Sequence, residues 1–110
     1  MRSSQLDTLP SKELYKDVLV RLVQGNDLTL NYFELKNQCV DIPFHTHTEE
    51  HLVVILEGEI EFMFEDHTSI LKKKDYLFVP AKTRHTARVL NEPVKALEIY
   101  KITEDEHHKR

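Results

Sequence analysis

Cysteine is almost absent. Cys39 is the only one in 110 residues, so no disulfide can form within the chain and a reducing compartment is the simpler setting. No long basic block stands out, and the formal net charge is -4 with histidines neutral. That weighs against nucleic acid or an anionic membrane as the main partner. Long hydrophobic runs are missing too. The longest, from Leu52 to Leu56, is far short of the roughly 20 apolar residues of a bilayer-spanning helix. The opening MRSSQLDTLPSKELYKD lacks the apolar core of a signal peptide. A cytoplasmic chain is therefore expected. What is present is a globular composition, 40% hydrophobic and 31% charged, at a length that suits one domain with a single core.

Short runs of alternating or β-branched residues fill the chain, and no sustained helical period competes with them. VLVRLV (18–23), LTLNYFEL (28–35), HLVVIL (51–56), IEFMF (60–64), SIL (69–71), YLFV (76–79), HTARVL (85–90) and VKALEIYKI (94–102) read as strands. QGND (24–27), EGE (57–59), EDHT (65–68), KKKD (72–75) and NEP (91–93) read as turns, and 37–43 as a connection. Residues 1–17 form a polar N-terminal segment, with one turn of helix expected at 11–15 capped by Ser11. Residues 18–102 form the single β domain, and 103–110 a charged, frayed tail. The expected fold class is all-β, an antiparallel sandwich or barrel.

Histidine is where the sequence becomes specific. PFHTHTEEHLVVILEGE places His45, His47 and His51 within seven positions. In a strand, side chains two apart share a face, so His45 and His47 point the same way, and a turn after Thr48 returns His51 beside them. His85 follows a proline turn, PAKTRH, and opens a strand. The pattern HTH-x3-H-x6-G, carried by His45, His47, His51 and Gly58, followed by P-x4-H at Pro80 and His85, resembles the two motifs of the cupin superfamily. The resemblance covers roughly residues 28 to 102. It departs from the family at Cys39, Lys74 and Lys82, which stand where glycines are usual. His51 replaces the usual glutamate, and Val89 the closing asparagine. The lysines fit if they accept left-handed backbone geometry.

The resemblance implies a double-sheet jelly-roll barrel holding one divalent transition metal per chain through His45, His47, His51 and His85. Neutral imidazoles suit iron, manganese, zinc, nickel or copper. Exchanging the usual glutamate for His51 removes a negative charge and makes the ion a stronger Lewis acid. Glu49 and Glu50 read first as a solvated loop, with the alternative that they reach the site in place of His51; His67 reads as an exposed turn residue, and His107 and His108 as tail. Phe62 and Phe64 share a face with Ile60 and are candidates to line the pocket. In VKALEIYKI, Ala96, Glu98, Tyr100 and Ile102 share one face and Leu97 and Ile99 the other. If the first set faces inward, Glu98 and Tyr100 become candidate acid–base residues; either parity satisfies the pattern. Tyr32 and Phe33 pose the same alternative. Three function classes follow: an oxygen-using metalloenzyme with a four-histidine centre, a non-redox enzyme on unsaturated sugar acids with Glu98 moving the proton, or a non-catalytic sensor. HLVVIL is apolar on both faces, so one face needs a cover, and a homodimer is expected.

Overall fold

The computed structural model describes residues 3–37 and 42–102, without the side chains of 42–44. Cys39, the 103–110 tail and its two histidines lie outside the described residues. Eight strands are found among those described: β1 (Lys12–Tyr15), β2 (Val18–Gln24), β3 (Leu28–Leu35), β4 (Ile42–His45), β5 (His51–Phe64), β6 (Thr68–Lys72), β7 (Tyr76–Val79) and β8 (His85–Lys101). All pairings are antiparallel.

β5 and β8 organise the molecule. They pair along nearly their whole length, from Leu52↔Ile99 to Phe64↔His85. The first half of β5 and the second half of β8 join β1, β2, β3 and β7 in one layer; the other halves join β4 and β6 in the second. The chain is thus an all-β, antiparallel jelly roll, with the two long strands bending from layer to layer. Between the layers lie Val18, Leu35, Val53, Ile55, Ile60, Phe62, Leu71, Val79, Val89 and Val94.

The bend corrects two expectations. EGE and NEP are not hairpin turns but irregularities inside β5 and β8, where the pairing slips between Ile55 and Ile60. Gly58 sits at φ 82, and a Cβ there would fall 2.2 Å from the Pro93 carbonyl oxygen. Only glycine lets the two backbones close at this point. The N-terminal expectation also changes: 11–15 forms no helix. β1 pairs with β2, while the only helical turn among the described residues is a 3-10 turn at Leu6–Thr8. Lys12–Tyr15 is exposed throughout, so no burial period marked it. The left-handed lysines are found: Lys74 has φ 75 and Lys82 φ 62.

Candidate metal centre

The histidines meet because strand ends meet. β4 ends at His45, which pairs in register with His85 at the start of β8, and His85 pairs in turn with Phe64 at the end of β5. His51 opens β5. His47 lies between β4 and β5, and its carbonyl accepts the Lys82 backbone N–H at 2.7 Å. Left-handed Lys82 therefore ties the loop after β7 to the loop that carries His47.

Two donor groups result. His45, His47 and His85 form one, and His47, His51 and Glu98 the other; within each, the ligand atoms lie within 4.8 Å of one another. The quartet expected from the sequence is thus divided, with His47 common to both parts. His51 is drawn aside by two carboxylates. Its Nε2 lies 3.2 Å from Glu49 Oε1, and its Nδ1 lies 3.1 Å from Glu98 Oε2. The second contact is close enough for an ion pair but not aligned as a hydrogen bond, so Nδ1 is buried without a hydrogen-bond partner among the described residues. The ring is held flat, stacked on His47 at 4.0 Å and on Tyr100 at 4.4 Å between centroids.

The donor chemistry fits a metal. Nε2 of His47 is buried with no partner among the described residues, a costly arrangement unless a cation or water completes it. His85 Nδ1 lies 2.9 Å from the Thr83 carbonyl, which only accepts, so Nδ1 carries the proton and Nε2 keeps its lone pair. That is the usual way a ligating imidazole is oriented. His45 packs beside His85 at 4.3 Å and His47 at 4.8 Å between ring centroids. With a nitrogen–metal bond of about 2.1 Å, shifts of under about 1 Å per donor gather such atoms around one ion.

Charge in the site is uneven. Burial, then His51 beside it, lowers the His47 pKa to about 4, and burial likewise lowers that of His85. Both rings are held neutral, the form that binds metal. Burial also opposes a charge on His51, but Glu98 and Glu49 overcome it and raise its pKa. For Glu98, burial alone would raise the carboxyl; His51, with Asn31 donating Nδ2–H to Oε1 at 3.2 Å, holds it below its ordinary value.

A cavity of about 280 Å³ opens onto this cluster. Ala96, Glu98 and Tyr100 line it, as does Phe33; Leu97, from the alternate face of β8, also touches it, while Tyr32 is buried on the opposite face of β3. Phe62 lines the cavity; Phe64 does not, packing instead against the core and stacking on exposed His67 at 4.7 Å. Glu50 is exposed as expected, but Glu49 reaches the site and is mostly buried. Asn31 is the polar group that sequence reasoning missed, and Glu49 follows the less favoured of its two readings. Asn31 stands four positions before Leu35 in an otherwise strand-like run, which was its one available signal.

Comparison with known proteins identifies the family of this fold. The cupin domain family model matches residues 31–100, and the chain belongs to that family. Over 60 residues it is 37% identical to dimethylsulfoniopropionate lyase DddQ of Ruegeria pomeroyi, a match that spans 54% of this chain and 30% of that protein. Among solved structures it is similar to KdgF from Halomonas sp. (TM-score 0.77, 16% identity, 89% and 90% of the two chains). It also resembles the polyketide cyclase RemF from Streptomyces resistomycificus (TM-score 0.80, 17% identity, 98% and 91%). At those identities the structures share the fold. Among the described residues no helix is long and apolar enough to cross a membrane.

Proposed function

We propose that the protein is a metal-dependent enzyme that acts on a small molecule by acid–base chemistry, as a lyase or isomerase. One observation carries this reading: the Glu98–His51 pair stands beside the three-histidine donor group, open to the same cavity. His45, His47 and His85 would hold a divalent ion, which would supply Lewis acidity toward a substrate oxygen. Glu98 is the proton acceptor. It is kept ionised by His51 and oriented by Asn31. His51 balances the charge on Glu98, and the Tyr100 ring stacked on it fixes its plane. The similarity to a protein named as a lyase supports the same class of chemistry.

The test is Glu98→Gln, assayed on a panel of lyase and isomerase substrates with metal content measured in parallel. The variant is expected to retain metal and lose turnover by roughly 10²–10⁴-fold. Undiminished turnover overturns the assignment, and joint loss of metal and turnover makes Glu98 a ligand instead of a base. A second reading, an oxygen-using enzyme, is supported by the all-nitrogen donor set of His45, His47 and His85. Oxygen consumption by the iron-, manganese- or copper-loaded protein distinguishes it.

The assembly we propose is a homodimer. On the outer face of the larger layer, Phe78, Leu52 and Ile99 form one row across three strands, and Tyr76 and Val54 begin the next. Tyr76 is 66% and Phe78 53% exposed, an apolar patch of the kind that a second copy covers.

A further inference from the structure

The two ends of the cavity differ in chemistry. At one end are the histidines, Glu49, Glu98, Asn31 and Tyr100; along the rest of the wall the lining is almost wholly apolar. The gradient follows β3. Asn31 bonds Glu98, and Phe33 and Leu35 continue the same face two and four residues on. Val18 of β2 stands beside Leu35, and Tyr15 of β1 beside Val18. No lysine or arginine is found among the described lining residues. A ligand carrying anionic or polyhydroxyl groups along its length would leave them unpaired against Phe33, Leu35 and Ile60, at the cost of their desolvation.

β1 finishes the apolar end in an unusual way. Strict alternation would send Leu14 and Tyr15 to opposite faces, yet both line the cavity. The pairing with β2 slips between Glu13 and Tyr15, a bulge that re-aims side chains. The turn that follows is pinned to the end of β3: the Asp17 carbonyl accepts the Lys36 N–H at 3.0 Å, and its carboxylate accepts Asn37 Nδ2–H at 2.8 Å. The rim is therefore fixed in place. Even so, Leu14 remains 47% and Tyr15 38% exposed. Two apolar side chains have been turned toward a cavity without being covered by the described residues. β1 and β2 also precede the stretch matched by the family model, so this rim is not part of the shared motif.

We infer that Leu14 and Tyr15 are specificity-determining residues, and that the ligand is a small, largely apolar molecule bearing one oxygen-donor head. The head binds at the histidines, resting on the metal-site reading above, and the apolar remainder lies along Phe33 and Leu35 under the β1 rim. This excludes polyhydroxylated sugar acids as the preferred class.

Two probes with the same chelating head separate these parts. Acetohydroxamate carries a methyl group and benzohydroxamate a phenyl, and each is titrated into cobalt(II)-loaded protein while the visible cobalt spectrum is followed. Benzohydroxamate is expected to bind at least tenfold tighter. In a Leu14→Ser/Tyr15→Ser variant, checked for cobalt content and thermal unfolding, that preference falls below threefold. Equal affinities in the unaltered protein overturn the inference while leaving the metal site standing. So does a preference that survives the double substitution; if the variant's mass in light scattering then changes as well, the rim is a subunit contact. Binding of neither probe to cobalt-loaded protein overturns the metal-site reading and this inference with it.

Discussion

Replacing Gly58 by alanine tests how the bend in β5 positions the site. Two effects oppose each other at the backbone and leave a net cost of roughly 1 kcal/mol. A residue with a Cβ pays roughly 1–2 kcal/mol in left-handed geometry, while losing glycine's freedom in the unfolded chain returns about 0.4–1 kcal/mol. The decisive effect is contact. The new Cβ would lie 2.2 Å from the Pro93 carbonyl oxygen and 2.7 Å from that of Asn91. Both are backbone atoms of the paired strand, so no side chain can swing away. To reach even 3.0 Å, β8 must retreat by about 0.8 Å, which strains the ladder between Glu57↔Lys95 and Glu59↔Asn91. Losing one or two of those bonds adds ~1–3 kcal/mol. A total of roughly 3 kcal/mol is expected, against a typical domain stability of about 5–15 kcal/mol. Urea unfolding followed by circular dichroism reads it directly. Because His47 stacks on His51 of one layer and must meet His85 of the other, metal content should fall as well. A loss under about 1 kcal/mol, with metal retained, would refute the claim that this close approach sets the geometry of the two layers.

Other outcomes follow from single features. Lys74→Gly and Lys82→Gly relieve left-handed geometry at φ 75 and φ 62; each should stabilise by ~0.5–1 kcal/mol, seen as a higher urea midpoint, and destabilisation would contradict the backbone reading. His47 has a pKa of about 4 when folded, against an ordinary histidine value of 6.5. The unfolded chain therefore takes up its proton first, and stability of the metal-free protein should fall as the pH drops from about 6.5 to about 4. His47→Gln removes that part of the slope, and an unchanged slope would count against the buried neutral ring. Phe78→Asp with Tyr76→Asp should halve the mass in light scattering while preserving the β spectrum; a monomeric unaltered protein would end the dimer proposal.

Much of this architecture can be read from the residue pattern, and the failures have physical causes. β2, β3, β6 and β7 follow from alternation bounded by polar turns. EGE and NEP misled because glycine and proline usually punctuate chains. Here β5 and β8 bend together, and each supplies the other's hydrogen bonds across the irregularity. Lys12–Tyr15 is paired on one edge and exposed along its length, so it carries no burial pattern to detect. In the site, His45, His47 and His85 were legible because the motif spacing is independent of strand parity. Glu98 was not, since β8 places apolar residues on both faces, and only tertiary pairing with Asn31 and His51 reveals which one turns inward. The division of the histidines was likewise hidden. It depends on Glu49 and Glu98 flanking His51 from positions far apart in the chain.

The central claim is that His45, His47 and His85 hold one transition-metal ion. It is tested most directly by elemental analysis combined with X-ray absorption at the edge of the bound metal, on the unaltered protein and on His45→Ala and His85→Ala. The account predicts about one ion per chain with imidazole nitrogens in its shell, sharply reduced in both variants while the β spectrum persists. Full occupancy in either variant, or a shell without imidazole, would contradict it.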